Sequence, residues 1–175
     1  MGSHSRTALD VMVKAVKVLI EAVSKLELGE IVELERASFS DPWSEASFAA
    51  VLNEPAAFFA AAHDSTSHRV AGYVVAWFVA DEGEIANLAV REPTRRRGLG
   101  AALLDAALDE GRRRGAQAIY LEVRDSNVAA RGLYASRDFA EVGRRRDYYR
   151  KPVEDAIVLR RSVGDDSQRR LGGAS

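Results

Sequence analysis

The sequence NLAVREPTRRRGLGAALL runs from Asn87 to Leu104 and is the most informative stretch of the chain. Its apolar start predicts the end of a strand, a basic loop follows, and two glycines open a helix. The first amides of a helix have no partner within the helix, and Gly98 and Gly100 allow a ligand to approach the backbone closely. Arg95 to Arg97 add positive charge at the same place. We therefore predict a phosphate-binding site where this strand meets the helix.

Two common phosphate-binding loops do not match this stretch. A P-loop requires a Lys followed by Ser or Thr after its second glycine, and none is present here. A dinucleotide-binding fingerprint requires a third glycine at the position that Leu103 occupies. The site is therefore of another kind.

Predicted elements extend outward from this stretch in both directions. Three strands joined by short polar turns predict an antiparallel meander before it, and a helix, a strand, a second helix and two strands follow it. The strands are predicted over Phe58–Ala62, Val70–Ala80, Glu84–Val90, Ala118–Val123, Phe139–Gly143 and Ala156–Leu159, and the helices over Gly98–Arg114 and Asn127–Ser136. The charged segment Arg144–Asp155 is predicted to be a loop. Val16–Val23 is consistent with a first strand or a helix, and apolar residues at helical spacing predict a helix from Leu28 that ends near Phe39.

This order predicts one α/β domain with a mixed, mostly antiparallel sheet of six to seven strands flanked by about four helices. The domain is expected to span residues 16–161. Residues 1–15 are treated as an extra N-terminal segment, and the polar, Gly-rich residues 162–175 as a disordered tail.

Composition excludes several classes of function. The chain has 175 residues, a net charge of -1, no Cys and three His. A disulfide scaffold and a cysteine nucleophile are therefore excluded, and the histidine spacing predicts no metal site. Without an apolar run of about 18–20 residues or a signal peptide, no membrane partner and a cytoplasmic location are expected.

The even balance of charge hides an asymmetry between the two halves of the chain. Residues 1–90 carry 6 basic and 13 acidic side chains, whereas residues 91–161 carry 17 basic and 11 acidic ones. The basic half suits an anionic partner such as a cofactor phosphate or RNA, although the balanced total gives no strong nucleic-acid signal.

Two residues after this stretch are candidates for acid–base chemistry. Glu122 shares one face of a predicted strand with Tyr120, and it could serve as a base or simply pair with an arginine. Tyr134 lies near the end of a predicted helix, where it could donate a proton or pack against the core. The residues alone leave both alternatives open.

Four segments together resemble a known family. Arg95-Arg96-Arg97-Gly98-Leu99-Gly100 fits the cofactor signature [RQ]-x-x-G-x-[GA] of the GCN5-related N-acetyltransferases (GNAT). DPWSEASF at 41–48, LEVRDSNVAARGLYASRDF at 121–139 and RRRDYYRKPVEDAIVL at 144–159 are similar to segments of its RimI group, the bacterial ribosomal-protein N-terminal alanine acetyltransferases. One departure is Asp138, which stands where the family has glycine; Asp tolerates the left-handed conformation, so we expect the turn to survive.

The resemblance implies a GNAT fold with acetyl-CoA as co-substrate and no metal. It implies that Glu122 accepts a proton from the α-amine of a protein, most consistently a ribosomal one, and that Tyr134 donates a proton. The residues expected to bind acetyl-CoA are Leu88, Ala89, Val90, Arg95, Arg96, Arg97, Gly98, Leu99, Gly100, Ala101 and Asn127. Trp43, Tyr148 and Tyr149 are expected to bind the acceptor peptide. The alternatives are acetylation of a small amine or a lysine, and a non-catalytic module that binds acyl-CoA or RNA.

Overall fold

The structure, a computed structural model, describes residues 9–13, 16–92 and 98–164. Helices and strands alternate along this part of the chain much as their sequence periods predict. The elements are β1 (Leu9–Val13), β2 (Val16–Ala22), a short 3-10 helix (Lys25–Glu27), α1 (Leu28–Ser38), α2 (Glu45–Val51), β3 (Ala57–Asp64), β4 (Val70–Val79), β5 (Glu82–Val90), α3 (Leu99–Arg113), β6 (Ala118–Arg124), α4 (Val128–Ala135), β7 (Ala140–Arg150) and β8 (Val153–Ser162).

The strands of this part of the chain form one sheet in the order β1-β2-β3-β4-β5-β6-β8-β7. Every neighbouring pair is antiparallel except β5 and β6, which run parallel and are connected through α3. A parallel pair needs such a crossover because a tight turn can join only antiparallel strands. The predicted fold class, a mixed and mostly antiparallel α/β sheet with about four helices, is confirmed.

The strand count exceeds the prediction at the N-terminal edge. Val16–Ala22 is a strand rather than a helix, and Leu9–Val13 pairs with it as a further edge strand. Residues 1–15 were expected to lie outside the domain, but Leu9–Val13 belongs to the sheet. Over the described residues, the sheet has eight strands.

The predicted loop Arg144–Asp155 is wrong. β7 and β8 continue through it and pair as far as Arg150↔Val153, so only Lys151-Pro152 turns. β7 is the edge strand of the sheet and almost all of its side chains are exposed, so it needs no apolar alternation. The register of β7 against β8 also shifts, and Asp147 has a positive φ of 50°. The strand is therefore irregular, and its sequence shows no regular alternation.

Two apolar clusters cover the two faces of the sheet. α3 and α4 pack on one face, where the apolar stripe of α3 formed by Leu103, Leu104, Ala107 and Leu108 is buried. α1 and α2 pack on the other. β4 lies between the clusters and is buried on both faces, as its continuous apolar sequence predicts.

Local capping follows the sequence closely. Ser44 begins α2 and accepts a hydrogen bond from the Ser47 amide (3.1 Å). Asp138 adopts a positive φ of 62°, so the turn without glycine is confirmed. Within α3, Asp109 pairs with Arg112, three residues later in the chain (2.8 Å). Across the described ranges, no helix combines the length and apolar character needed to cross a membrane.

Candidate active site

A fork in the sheet is formed where β5 and β6 separate. The two parallel strands pair only from Glu82↔Ala118 to Ile85↔Leu121. At that point β5 contains a bulge: Val75 and Ala76 of β4 are opposite Asn87 and Ile85, so Ala86 is the extra residue. A bulge bends its strand, so β5 turns away from β6. We call the space between residues 87–90 of β5 and residues 122–124 of β6 the fork.

The start of α3 lies at one side of the fork. Gly98 precedes the helix with a φ of +82°, a conformation that glycine adopts without strain. A Cβ placed on Gly100 would lie 3.4 Å from Leu133 of α4, 3.7 Å from Val90 and 3.9 Å from Leu88. A narrow space with apolar walls therefore lies between three elements: the first turn of α3, the end of β5, and α4. Arg95, Arg96 and Arg97 lie outside the described residues.

α4 begins on the opposite side of the fork. Asn127 caps it by accepting a hydrogen bond from the Ala130 amide (3.1 Å), so the helix itself starts at Val128. Tyr134, in its last turn, is 8% exposed and meets Phe139 edge to face with ring centres 5.8 Å apart. Burial, with a further contribution from nearby Tyr149, raises the pKa of Tyr134 to about 12. The phenol therefore stays protonated at neutral pH.

Glu122 faces the other side of the sheet, toward α1 and α2. Ile119, Leu121 and Val123 are buried beneath α3 and α4, which leaves Tyr120, Glu122 and Arg124 on the opposite face, as alternation predicts.

A cluster of charged and phenolic groups surrounds Glu122. Its Oε1 forms an ion pair with Nε of Arg145 (2.7 Å), and interaction with the same carboxylate raises the pKa of Tyr148. Burial, followed by the charge of Glu122, raises the pKa of Glu84 on the neighbouring strand. The arginine partner that the sequence left open for Glu122 is thus present, but Arg145 is 60% exposed and belongs to an edge strand. A cationic ligand could compete with it.

The fork and its flanking helices match one family. The family model described as "Acetyltransferase (GNAT) family" matches residues 28–139. The chain belongs to this family. It is 35% identical over 142 residues to [Ribosomal protein bS18]-alanine N-acetyltransferase of Escherichia coli K12, a match that covers 80% of this chain and 94% of that protein.

Solved structures agree with this assignment. The crystal structure of the ribosomal-protein-S18-alanine N-acetyltransferase from Escherichia coli superimposes with a TM-score of 0.77 and 32% identity, over 85% of this GNAT chain and 95% of that one. A chain of the NatC complex bound to Gag peptide and CoA superimposes with a TM-score of 0.76 and 25% identity, over 83% and 98% of the two chains. This protein is therefore an N-acetyltransferase with a GNAT fold.

Two segments of this GNAT chain lie on the same side of the sheet as Glu122. The first is the loop between α1 and α2, residues 39–44, where Trp43 packs on Phe48 with ring centres 5.4 Å apart. The second is the end of β7, where Tyr148 and Tyr149 meet edge to face at 5.2 Å. We call them the loop wall and the tyrosine wall. Both tyrosines lie on a strand, not in the loop that the sequence predicted.

Arg124 joins the two walls, a role that the sequence analysis missed. Its guanidinium lies 4.1 Å from the Tyr149 ring centre and donates to the Ser40 hydroxyl (3.0 Å) in the loop wall. It also donates to the carbonyls of Lys151 (3.4 Å) and Pro152 (3.2 Å) after the tyrosine wall. Alternation along β6 places Arg124 on the face of Glu122, and that signal was available from the sequence.

Proposed function

We propose that this GNAT protein transfers an acetyl group from acetyl-CoA to the N-terminal α-amine of a protein, most consistently the N-terminal alanine of a small-subunit ribosomal protein. The fork is the observation that carries the proposal, because it opens between a helix start suited to phosphate and a carboxylate suited to an amine. The names of the Escherichia coli relatives support the acceptor, and the CoA in the NatC structure supports the co-substrate.

The residues around the fork suit a long, partly apolar thioester ligand. Leu88, Val90 and Leu133 offer apolar walls for its arm, and the amides after Gly98 suit its phosphates. Asn127 borders the same space at the start of α4. When bound, acetyl-CoA supplies an acetyl group activated as a thioester.

The proposed proton transfers use one group on each side of the fork. Glu122 accepts a proton from the acceptor ammonium, directly or through water, after that ammonium displaces Arg145. The neutral amine then forms its bond to the acetyl carbon as the carbon–sulfur bond breaks. Tyr134 donates its phenolic proton to the departing sulfur. The nitrogen loses its second proton as the amide forms, and that proton passes through water to the tyrosinate, while Glu122 releases its own proton to solvent. The raised pKa of Tyr134, about 12, keeps the phenol protonated before the reaction. No covalent enzyme intermediate is needed.

Basicity favours an α-amine over a lysine as the acceptor. With a pKa of about 7.7–8.0, roughly a tenth of an α-amine is neutral at pH 7, whereas a lysine amine near 10.4 is neutral only to a few parts in ten thousand. A carboxylate base deprotonates the former far more easily.

A competition assay tests the proposal. Acetyl-CoA is offered with an Ala-first peptide that contains a lysine, with the same peptide blocked at its N-terminus, and with a free small amine. We expect thiol release and a mass increase of one acetyl group only for the free N-terminus. Equal turnover of the blocked peptide or of the small amine would favour the corresponding alternative acceptor. Binding of acetyl-CoA without turnover of any acceptor would favour a non-catalytic binding module.

A further inference from the structure

Glu35 is a buried carboxylate that the reaction above does not use. It lies on the inner stripe of α1 among apolar neighbours and is 1% exposed. Among the polar and charged residues of the described ranges, only Glu35 is buried. Burying a carboxylate is costly unless its oxygens are hydrogen-bonded, so its surroundings require an explanation.

Three separate elements donate hydrogen bonds to this carboxylate. The Trp43 amide in the loop wall donates to Oε1 (2.9 Å), and Nδ2 of Asn87 in β5 lies 3.0 Å from Oε1 and 2.9 Å from Oε2. The Tyr73 hydroxyl of β4 donates to Oε2. Burial, together with the charge of Glu35, raises the pKa of Tyr73, so this phenol remains a donor. A carboxylate can accept all of these bonds because its two oxygens offer about four acceptor positions.

The position of these donors links the acceptor side to the fork. Asn87 is the first residue of β5 after the bulged Ala86, where β5 begins to leave β6. Trp43 belongs to the loop wall and presents its ring to Phe48. Glu35 thus connects the loop wall to the edge of the fork through its buried carboxylate.

We propose that Glu35 is a positioning residue that holds the loop wall against β5 and thereby sets the width of the acceptor groove. The inference rests on the proposed function, because it assigns the loop wall to the acceptor peptide. The inference predicts different effects on the two substrates. The loop wall is assigned to the acceptor peptide, whereas the acetyl-CoA site is formed by α3, α4 and the end of β5. A loosened loop wall should therefore weaken the acceptor alone.

The test compares Glu35→Gln with Glu33→Gln in the full chain. Glutamine keeps the size of Glu35 but points an amide NH₂ at groups that are themselves donors. Glu33 is on the same helix, 60% exposed, and pairs with Arg91 (3.3 Å), so its variant controls for losing a carboxylate from α1. We expect Glu35→Gln to raise the KM of an Ala-first peptide about tenfold, equivalent to about 1.4 kcal/mol, with the acetyl-CoA Kd within about twofold. Glu33→Gln should leave both constants unchanged.

A merely structural role would give a different pattern. It predicts a lower melting temperature for Glu35→Gln with both constants unchanged below that temperature, and this result overturns the inference. An equal rise in the peptide KM and the acetyl-CoA Kd also overturns it. If the wild type acetylates no N-terminal peptide, the proposed function itself is wrong. The wild-type assay alone shows this result, so it is distinguished from a failure of the inference about Glu35.

Hydrogen exchange tests the same anchor without a variant. In the wild type, the Trp43 amide should exchange about 100-fold more slowly than the amides of Ser40 and Asp41 in the same loop, because only it donates to a buried group. Exchange at the rate of its neighbours would show that the anchor does not hold in solution. This measurement decides the matter if Glu35→Gln does not fold.

Discussion

Glu122 is partly exposed, and its carboxylate is paired with an arginine at the edge of the sheet. Its side chain is 19% exposed, and its arginine partner is on an exposed edge strand. Glu84, on the same face of the neighbouring strand, resembles it chemically but has no assigned role. The two residues therefore form a matched pair for mutation.

Glu122→Gln should slow acetylation about 100-fold near pH 7, because the amide keeps the shape but loses the basicity. The loss should shrink toward pH 9, where a larger share of the α-amine is already neutral. Glu84→Gln, the control, should change the rate by less than about threefold, since its carboxyl is not the proposed base. Steady-state rates from pH 7 to 9 provide the measurement. A loss that stays constant over that range would instead assign an orienting role to Glu122.

Tyr134→Phe removes one hydroxyl from a buried ring and leaves its packing on Phe139. We expect turnover to fall at least about tenfold while the acetyl-CoA Kd, measured by calorimetry, stays the same. Because burial raises the pKa of Tyr134 to about 12, loss of its proton should not limit the wild-type rate between pH 8 and 10. Tyr120→Phe, which removes a hydroxyl 3.3 Å from Arg160, is the control. Turnover near the wild-type value would make Tyr134 a packing residue.

The start of α3 is the element that should bind the co-substrate. A Cβ at Gly100 meets its nearest neighbour, Leu133, at 3.4 Å, so alanine fits with little adjustment, whereas glutamate adds bulk and negative charge. We expect saturating acetyl-CoA, at about 100 times its Kd, to raise the melting temperature by roughly 5–10 °C in the wild type and Gly100→Ala. The shift should vanish in Gly100→Glu. Retention of acetyl-CoA binding by Gly100→Glu would remove the helix start from the site.

The beginning of α1 is held by a different set of contacts. Glu27 caps the short helix before α1 through the Ser24 amide (2.6 Å) and also binds His63 of β3. Burial acts to raise the pKa of Glu27, but hydrogen bonds from Ser24 and His63 outweigh it, and the net result is a pKa below the ordinary 4.5. A lowered folded-state pKa means that the stabilisation is complete above the ordinary value and is lost as the pH falls through the folded one.

Glu27→Gln should therefore lower the free energy of unfolding by about 1–2 kcal/mol at pH 7, from the loss of a cap and a charged hydrogen bond. The difference from the wild type should narrow as the pH falls below the ordinary value of 4.5 and through the lowered pKa of Glu27. Urea unfolding at pH 7 and pH 3.5 measures both values. A gap that is the same at both pH values would mean that the glutamate charge contributes nothing to this contact.

At the scale of the whole molecule, the sheet separates its N-terminal edge from the fork. β1 pairs only with β2, and β3 and β4 lie between that hairpin and β5. The matched Escherichia coli relative aligns with 80% of this chain. Within the sheet the hairpin edge is therefore remote from the fork, and α3 is an element that contacts both β1 and β5.

A chain that begins at Val16 should keep its acetyl-CoA Kd and its peptide kcat/KM within about twofold, since mutations at distant sites act independently. Its melting temperature should fall by a few degrees, because β2 becomes an exposed edge. Calorimetry, steady-state kinetics and a thermal melt give the three values. A loss of acetyl-CoA binding in the shortened, folded chain would tie residues 1–15 to the fork.

The features that the sequence determined by itself are local. The strand–loop–helix pattern around Gly98, the buried stripe of α3, the Ser44 cap and the left-handed turn at Asp138 each depend on residues only a few positions apart. The alternation of β6 likewise brought Glu122 to one face before any partner was known. Short-range sterics and hydrogen bonds favour these structures whatever surrounds them.

The features that only the tertiary structure decided depend on distant partners. β7 has no apolar alternation and becomes a strand because β8 supplies its hydrogen bonds. The fork depends on where the β5–β6 ladder stops, and the sequence of neither strand records that point. Glu35 finds its donors 8, 38 and 52 positions away, and Arg124 finds Ser40 84 positions away. A local pattern can say that a carboxylate lies on an apolar stripe, but the groups that make its burial tolerable are chosen by packing between elements, which no single element encodes.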